Sequence, residues 1–359
     1  VNKEQFIMPN IFLDRTEGRL RSFWRVLFQA LIFILLMVLG QILAGIVIGV
    51  LAVANGIPIS DPEAISALTV RNTWVNAIVA LLALGSMFFS YWVGTKMDRR
   101  KFVDYGFRFS KTWWADFGFG LFLGAILMVF IFGVELSAGW ITITGTMTGL
   151  AEGTFWPGIL AALVNFFCVG IYEEMLSRGY QIHNLAEGFR GRILNPKMAL
   201  LLAYLLTSSI FGFLHASNPN ATLTSSVMLI AAGLFLGLGY VLTGDLAISI
   251  GIHMTWNFFQ GNVFGFPVSG TEAGSSIIGI QQGGPVLWTG GAFGPESGLI
   301  GLAAIALGCL LILAWIKLTR KNIRLQEELA IFTPPASAIP TVVIEPIPPA
   351  EGLPTDPIV

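Results

Sequence analysis

The chain has 359 residues, of which 55% are hydrophobic and only 11% charged, and its mean hydropathy is +0.75. A soluble domain carries about 25% charged residues, so this composition excludes an ordinary soluble globule. The net charge of -1 says nothing about partners, and Cys168 and Cys309 fall inside apolar runs, with neither a disulfide framework nor metal-ligand spacing.

A helix needs about 20 mostly apolar residues to cross roughly 30 Å of hydrocarbon. Eight stretches meet that demand, near Phe23–Ala54, Trp74–Lys96, Trp114–Trp140, Trp156–Gln181, Lys197–His215, Leu223–Thr243, Leu246–Asn262 and Ser297–Leu318. The fold class expected is all-α, a polytopic membrane helix bundle of about eight transmembrane helices. The first apolar run is too long for a cleavable signal peptide. Apart from Arg71, every Lys and Arg outside the span interiors falls on one side of an eight-span chain. By the positive-inside rule both termini should be cytoplasmic.

Residues 1–22 read as a basic cytoplasmic segment and 23–320 as one transmembrane bundle. The loop from Phe264 to Gly298 is rich in Gly and Ser and reads as a flexible outer loop. The tail 329–359 contains eight prolines, including Pro334-Pro335 and Pro348-Pro349, and reads as a disordered extension. The pairs Gly45/Gly49, Gly120/Gly124 and Gly233/Gly237 suit close helix packing within the chain.

A charge near the bilayer centre costs about 2.5–3.5 kcal/mol, so it is rarely idle. Spans 4, 5 and 7 contain such groups. Span 4 holds Glu173, Glu174 and Arg178. Glu174 and Arg178 are spaced i,i+4 and share a helix face, which suits an ion pair. Glu173 points about 100° away and is left free to take a proton. Span 5 ends at His215. In span 7, His253 and Asn257 are again i,i+4 and can offer two donors to one point, as an oxyanion requires. The third histidine, His183, reads as a bystander. Each pair alone has a structural explanation; together they point to chemistry. Buried acids and histidines also suit a transporter or proton relay, although no inverted repeat is evident.

Glu173-Glu174-x-x-x-Arg178, Phe211-x-x-x-His215 and His253-x-x-x-Asn257 resemble the three ordered motifs of the CAAX protease and bacteriocin-processing enzyme family, also called the Abi family. The resemblance covers Trp156 to Asn262. It implies an intramembrane endopeptidase in which Glu173 and His215 activate water. His253 and Asn257 would stabilise the oxyanion, and Glu174 and Arg178 would orient the site. A glutamate protease without metal and a metalloprotease both fit that pattern. Glu173, His215 and His253 could bind zinc, but the HExxH arrangement is absent. The expected partners are the lipid bilayer and a membrane-associated peptide or protein, with no nucleic acid. A bacterial plasma membrane is the expected location, and a non-catalytic scaffold or immunity protein of the same fold is a further alternative.

Residue counting adds a geometric expectation. Glu173 and His215 are each 21 residues from a hairpin turn near Leu194 and so should reach one level. His253 is 9 residues from the turn near Gly244. The three meet only if the hairpin projects roughly 15–20 Å into the cytoplasm, with the site about 13 Å deep in a cavity that opens inward.

Overall fold

The computed structural model describes residues 10–14, 17–61, 63–65, 68, 74–149, 153–191 and 193–333. Arg71, the start of the N-terminal segment and the Pro-rich tail beyond residue 333 lie outside the described residues.

The apolar runs become helices α1 (Ser22–Ala54), α2 (Trp74–Asp98), α3 (Lys111–Ser137), α4 (Phe155–Glu174), α5 (His183–Phe189), α6 (Pro196–Leu214), α7 (Leu223–Thr243), α8 (Ala247–Phe258) and α9 (Leu299–Arg320). Local chemistry sets several starts. Ser110, Asn195 and Thr222 each accept a hydrogen bond from the backbone N–H three residues on. Gly244 closes α7 with φ of 70°, a left-handed conformation that favours glycine.

Among the described residues, seven helices are long and apolar enough to cross a membrane, with α4 and α5 counted as one continuous helix, Phe155–Phe189. This corrects the expected eight. The seventh expected span is the 12-residue α8, extended by one π-helical segment, Phe259–Val263. It is short because it is the centre of the bundle rather than a lipid-facing wall. Eight of its residues are buried, and it packs against α3, α4 and α7.

Glycine makes that packing possible. A Cβ on Gly124 would lie 2.6 Å from the Ile252 carbonyl and 2.8 Å from Trp256 N. Gly120 and Gly251 meet in the same crossing, and Gly233 and Gly237 let α7 approach Ser208 and Tyr204 of α6. Among the described residues nothing lies within 4 Å of a Cβ built on Gly45 or Gly49, so no close helix approach is seen at that pair. Gly124→Val is expected to cost about 1–3 kcal/mol by forcing α3 off α8. Thermal unfolding in detergent checks this, and a native melting midpoint would contradict it.

The Gly- and Ser-rich loop is ordered, contrary to expectation. Strand β4 (Ser275–Gln282) pairs antiparallel with β3 (Ile141–Gly149) and caps one end of the bundle, here called the loop end. A second two-residue pairing, β1 (Leu13–Asp14) with β2 (Arg19–Leu20), lies at the opposite, basic end.

At the basic end Glu187 takes Arg19, Arg25 and Arg100, while Asp98 accepts from Tyr105, Tyr180 and Asn184. His183 sits buried beside Glu187, so it belongs to this network. The Arg19 guanidinium lies 3.4 Å from the Phe332 ring centroid, and Gln326 N donates to the Val241 carbonyl. The described residues nearest both termini therefore meet at one end.

Levels along the bundle can be read from contacts. Leu246 N donates to the Gly106 carbonyl at 3.1 Å, and a Cβ on Gly179 would lie 3.2 Å from both Leu246 Cδ1 and the Tyr105 carbonyl. Gly179 and the α7–α8 turn are thus level. Tyr180, His183, Asn184 and Glu187 lie beyond that level, in the network of the basic end.

Candidate active site

Glu173 and Glu174 close α4, and the helix then continues as a π segment, Met175–Ile182. The Tyr91 hydroxyl donates to the Met175 carbonyl at 2.9 Å and packs directly against Gly179. A side chain inserted into a helical hydrogen-bond ladder widens it, and only glycine leaves room there. Such π turns occur often at functional sites.

Gly179 is five residues beyond Glu174, and His253 is seven beyond Leu246. Because α4 and α8 are antiparallel and Gly179 is level with Leu246, the two side chains reach nearly one height. They meet: His253 Nδ1 lies 2.8 Å from Glu174 Oε1. The same oxygen accepts from Arg178 Nη1 at 2.9 Å. Arg178 is fixed further by its Nη2 bond to the Gly233 carbonyl and by the Phe211 ring, 4.6 Å away. Glu174 and Arg178 are buried behind the site, which satisfies the expected i,i+4 pairing.

The hydrogen bonds fix the imidazole tautomers. A carbonyl only accepts, so the 2.7 Å contact between His215 Nδ1 and the Phe211 carbonyl puts a proton on Nδ1. His215 Nε2 is then a lone pair in the neutral ring. His253 likewise donates Nδ1–H to Glu174, and its Nε2 lies 3.8 Å from Glu173 Oε2. The His253–Glu174 bond is a contact between helices that the spacing of either motif does not reveal.

Glu173, His215, His253 and Asn257 line one cavity of about 890 Å³. The Asn257 amide has no hydrogen-bond partner among the described residues and is free to serve a ligand. Trp256, Phe235 and Leu236 supply an apolar wall. From the carboxylates the lining runs through Asn165 to Gly158 and Asn76, and on to Ser269, Ser275 and Glu296. Gly158 is 16 residues from Glu174, about 24 Å along the helix. The void therefore extends toward the loop end. Toward the basic end Met175, Tyr180 and Leu246 are fully buried and plug the core. The cavity was expected to open toward the end that carries the basic residues; among the described residues its lining extends toward the loop end instead.

Several lining residues escaped the motif reading. Asn165, inside an apolar run, and Glu296, in a loop without Lys or Arg, were the available signals. Glu296 is buried and accepts from Ser269 N at 2.6 Å and from the Gln260 amide. Burial pushes its carboxyl from 4.5 up to about 7, against the opposing pull of those bonds. A raised folded-state pKa stabilises fully below pH 4.5, and that stability is lost as pH rises through 7. The melting temperature is expected to fall over that window, and Glu296→Gln is expected to flatten the profile. An identical slope in the variant would contradict this origin.

Glu173, His215 and His253 are the residues that would hold a zinc ion. Among the described residues no group of three His, Cys, Asp or Glu side chains stands where it could hold a metal ion. The Nδ1 bonds of His253 to Glu174 and of His215 to the Phe211 carbonyl leave each Nε2 free, so it is the spacing of the three groups that argues against the set. The residues as placed do not fit that set.

Residues 154–259 match the family model described as Rce1-like: Type II CAAX prenyl endopeptidase Rce1-like. The match covers part of the chain, contains all three motifs, and is a likeness to a CAAX-protease-like domain. No curated protein and no solved structure matches the chain.

Proposed function

We propose that the protein is an intramembrane endopeptidase that hydrolyses a peptide bond of a membrane-associated peptide or protein. One observation carries the reading: a buried Arg178–Glu174–His253 chain ends on the wall of a cavity, with Glu173 3.8 Å from His253 Nε2. Three charged or titratable groups held in fixed register inside an apolar bundle are costly, and catalysis is a reason to hold them.

In this reading Glu173 takes a proton from water while the His215 Nε2 lone pair accepts the water's other hydrogen and orients it. The hydroxide adds to the carbonyl carbon. The resulting oxyanion is met by the Asn257 amide, which donates unconditionally. His253 has its Nδ1 proton committed to Glu174, so it donates from Nε2 only as the imidazolium. Glu173 then returns the proton to the leaving nitrogen, and the C–N bond breaks to give an amine and a carboxylic acid, whose proton passes to the Glu173 carboxylate. Glu174 and Arg178 hold His253 in place and touch no reacting atom.

We further place both termini on the cytoplasmic side of a bacterial plasma membrane, in line with the basic end described above. The cavity then faces away from the cytoplasm, so the scissile bond is presented from the loop side.

The test uses purified protein in lipid vesicles with a labelled peptide library, comparing native protein with His215→Ala, each with and without chelator. Cleavage by native protein and its loss in the variant are expected. Unchanged cleavage in the variant would defeat the water-activating pair. Loss of cleavage with chelator, restored by zinc, would reassign the site to a metal centre.

A further inference from the structure

One wall of the cavity is a stripe of α4. Gly158, Ala161, Ala162, Asn165, Val169 and Glu173 follow one another at helical spacing and all line the void. Asn165 carries the one amide of that stripe, and the residues a turn before it, Ala161 and Ala162, are small enough to leave it within reach of a ligand. The α7 residues that line the same void, Leu229, Ala232, Phe235 and Leu236, are apolar. Two further amides of the lining are committed to the protein itself: Asn218 and Asn262 each give an N–H to a loop carbonyl, Ser269 and Ser275 respectively. Asn257 is assigned to the oxyanion. Asn165 makes no hydrogen bond among the described residues, and an amide inside an apolar span is costly to keep without a partner.

Asn165 lies eight residues before Glu173, about 12 Å along the helix. An extended chain advances roughly 3.3 Å per residue, so a segment cut beside Glu173 brings its third or fourth residue from the cut level with Asn165. An extended backbone, unlike a helix, carries unpaired N–H and C=O groups, and burying them without partners is costly. A carboxamide both accepts and donates, so it can take the N–H and the C=O of one residue together. Resting on the endopeptidase reading, we propose that the substrate lies extended along α4 toward the loop end, and that Asn165 is a positioning residue that holds its backbone there. Successive residues of a strand turn their backbone groups to opposite sides, so Asn165 holds one residue and not the two beside it. Recognition at this point is of the backbone and does not depend on the side chain carried there.

The experiment uses the full protein in phosphatidylcholine vesicles and a quenched fluorescent peptide with an apolar core, its cut site located by mass spectrometry. In a matched set, an ester oxygen replaces one backbone N–H at a time on either side of the cut, with the scissile bond left intact. One ester, three or four residues from the cut, is expected to lower kcat/KM about tenfold, chiefly through KM, while the esters on either side of it change little. Asn165→Leu is expected to slow the all-amide peptide by a similar factor and to erase the difference between that ester and its parent. A merely structural Asn165 would leave the ester effect in place in the variant, and that result would overturn the inference. Native protein indifferent to the esters three and four residues out would overturn it too, however the variant folds. No cleavage of the parent peptide would overturn the peptidase reading instead. Binding of the same set, read by fluorescence polarisation, then decides the inference: a single ester that binds more weakly to native protein but not to Asn165→Leu sustains it, and equal binding of all overturns it.

Discussion

Replacing Glu173 with Gln is expected to lower peptide turnover by about 10²–10⁴-fold, the usual contribution of a positioned general base. Glutamine keeps the shape and the polar end of the side chain but cannot take a proton. The loss should fall on kcat, because Glu173 is assigned to the water and not to substrate binding. Folding should survive the change. The Glu173 side chain is 25% exposed, and its closest ionic neighbour is His253 at 3.8 Å. The thermal unfolding midpoint should therefore match that of native protein. A Gln variant that turns over at the native rate would remove Glu173 from the chemistry.

Arg178→Met is expected to destabilise the protein by about 3–5 kcal/mol, because it leaves the Glu174 carboxylate buried without its cation. The guanidinium makes two hydrogen bonds, to Glu174 and to the Gly233 carbonyl, and lies over the Phe211 ring. Lysine offers neither the planar fork nor the stacking face, so Arg178→Lys should fail as well. Adding Glu174→Gln to Arg178→Met removes the orphaned charge and should recover part of the loss. Thermal unfolding of the three variants in detergent reads this directly. A single Met variant that melts like native protein would show that the pair carries little of the local stability.

Local periodicity made the helices and the motifs legible. Runs of 20 apolar residues announce spans, and the i,i+4 spacing of Glu174 with Arg178 puts both on one face, where they bond. Counting residues from the turns also brought Glu173, His215 and His253 toward a common cavity. Relations between helices were not legible. Nothing in either motif says that His253 pairs with Glu174, because that contact depends on how α4 and α8 are staggered. The stagger rests on Gly124 and Gly120 against α8, whose i,i+4 spacing marks a close approach without saying which helix makes it, and on the π segment that Tyr91 props open, which has no periodic signature.

The direction of the cavity was missed for a related reason. Residue counts give depth, but side-chain volume decides which side of a given depth is filled. Met175, Tyr180 and Leu246 fill the basic end, while alanine, glycine and asparagine on α4 leave the loop end open. The β3–β4 ribbon was masked by its glycines and by the separation of its strands, which are joined only in three dimensions. The Asp98 and Glu187 network escaped because its members come from segments far apart in the chain.

Hydrolysis of a peptide bond by water inside the bundle is the central claim. It is tested most directly by cleaving an apolar peptide in vesicles prepared in ¹⁸O-labelled water and weighing the products by mass spectrometry. The account predicts one labelled oxygen in the new C-terminal carboxylate with native protein, and no product with Glu173→Gln. Equal product from that variant, or intact peptide after prolonged incubation with native protein, would contradict it.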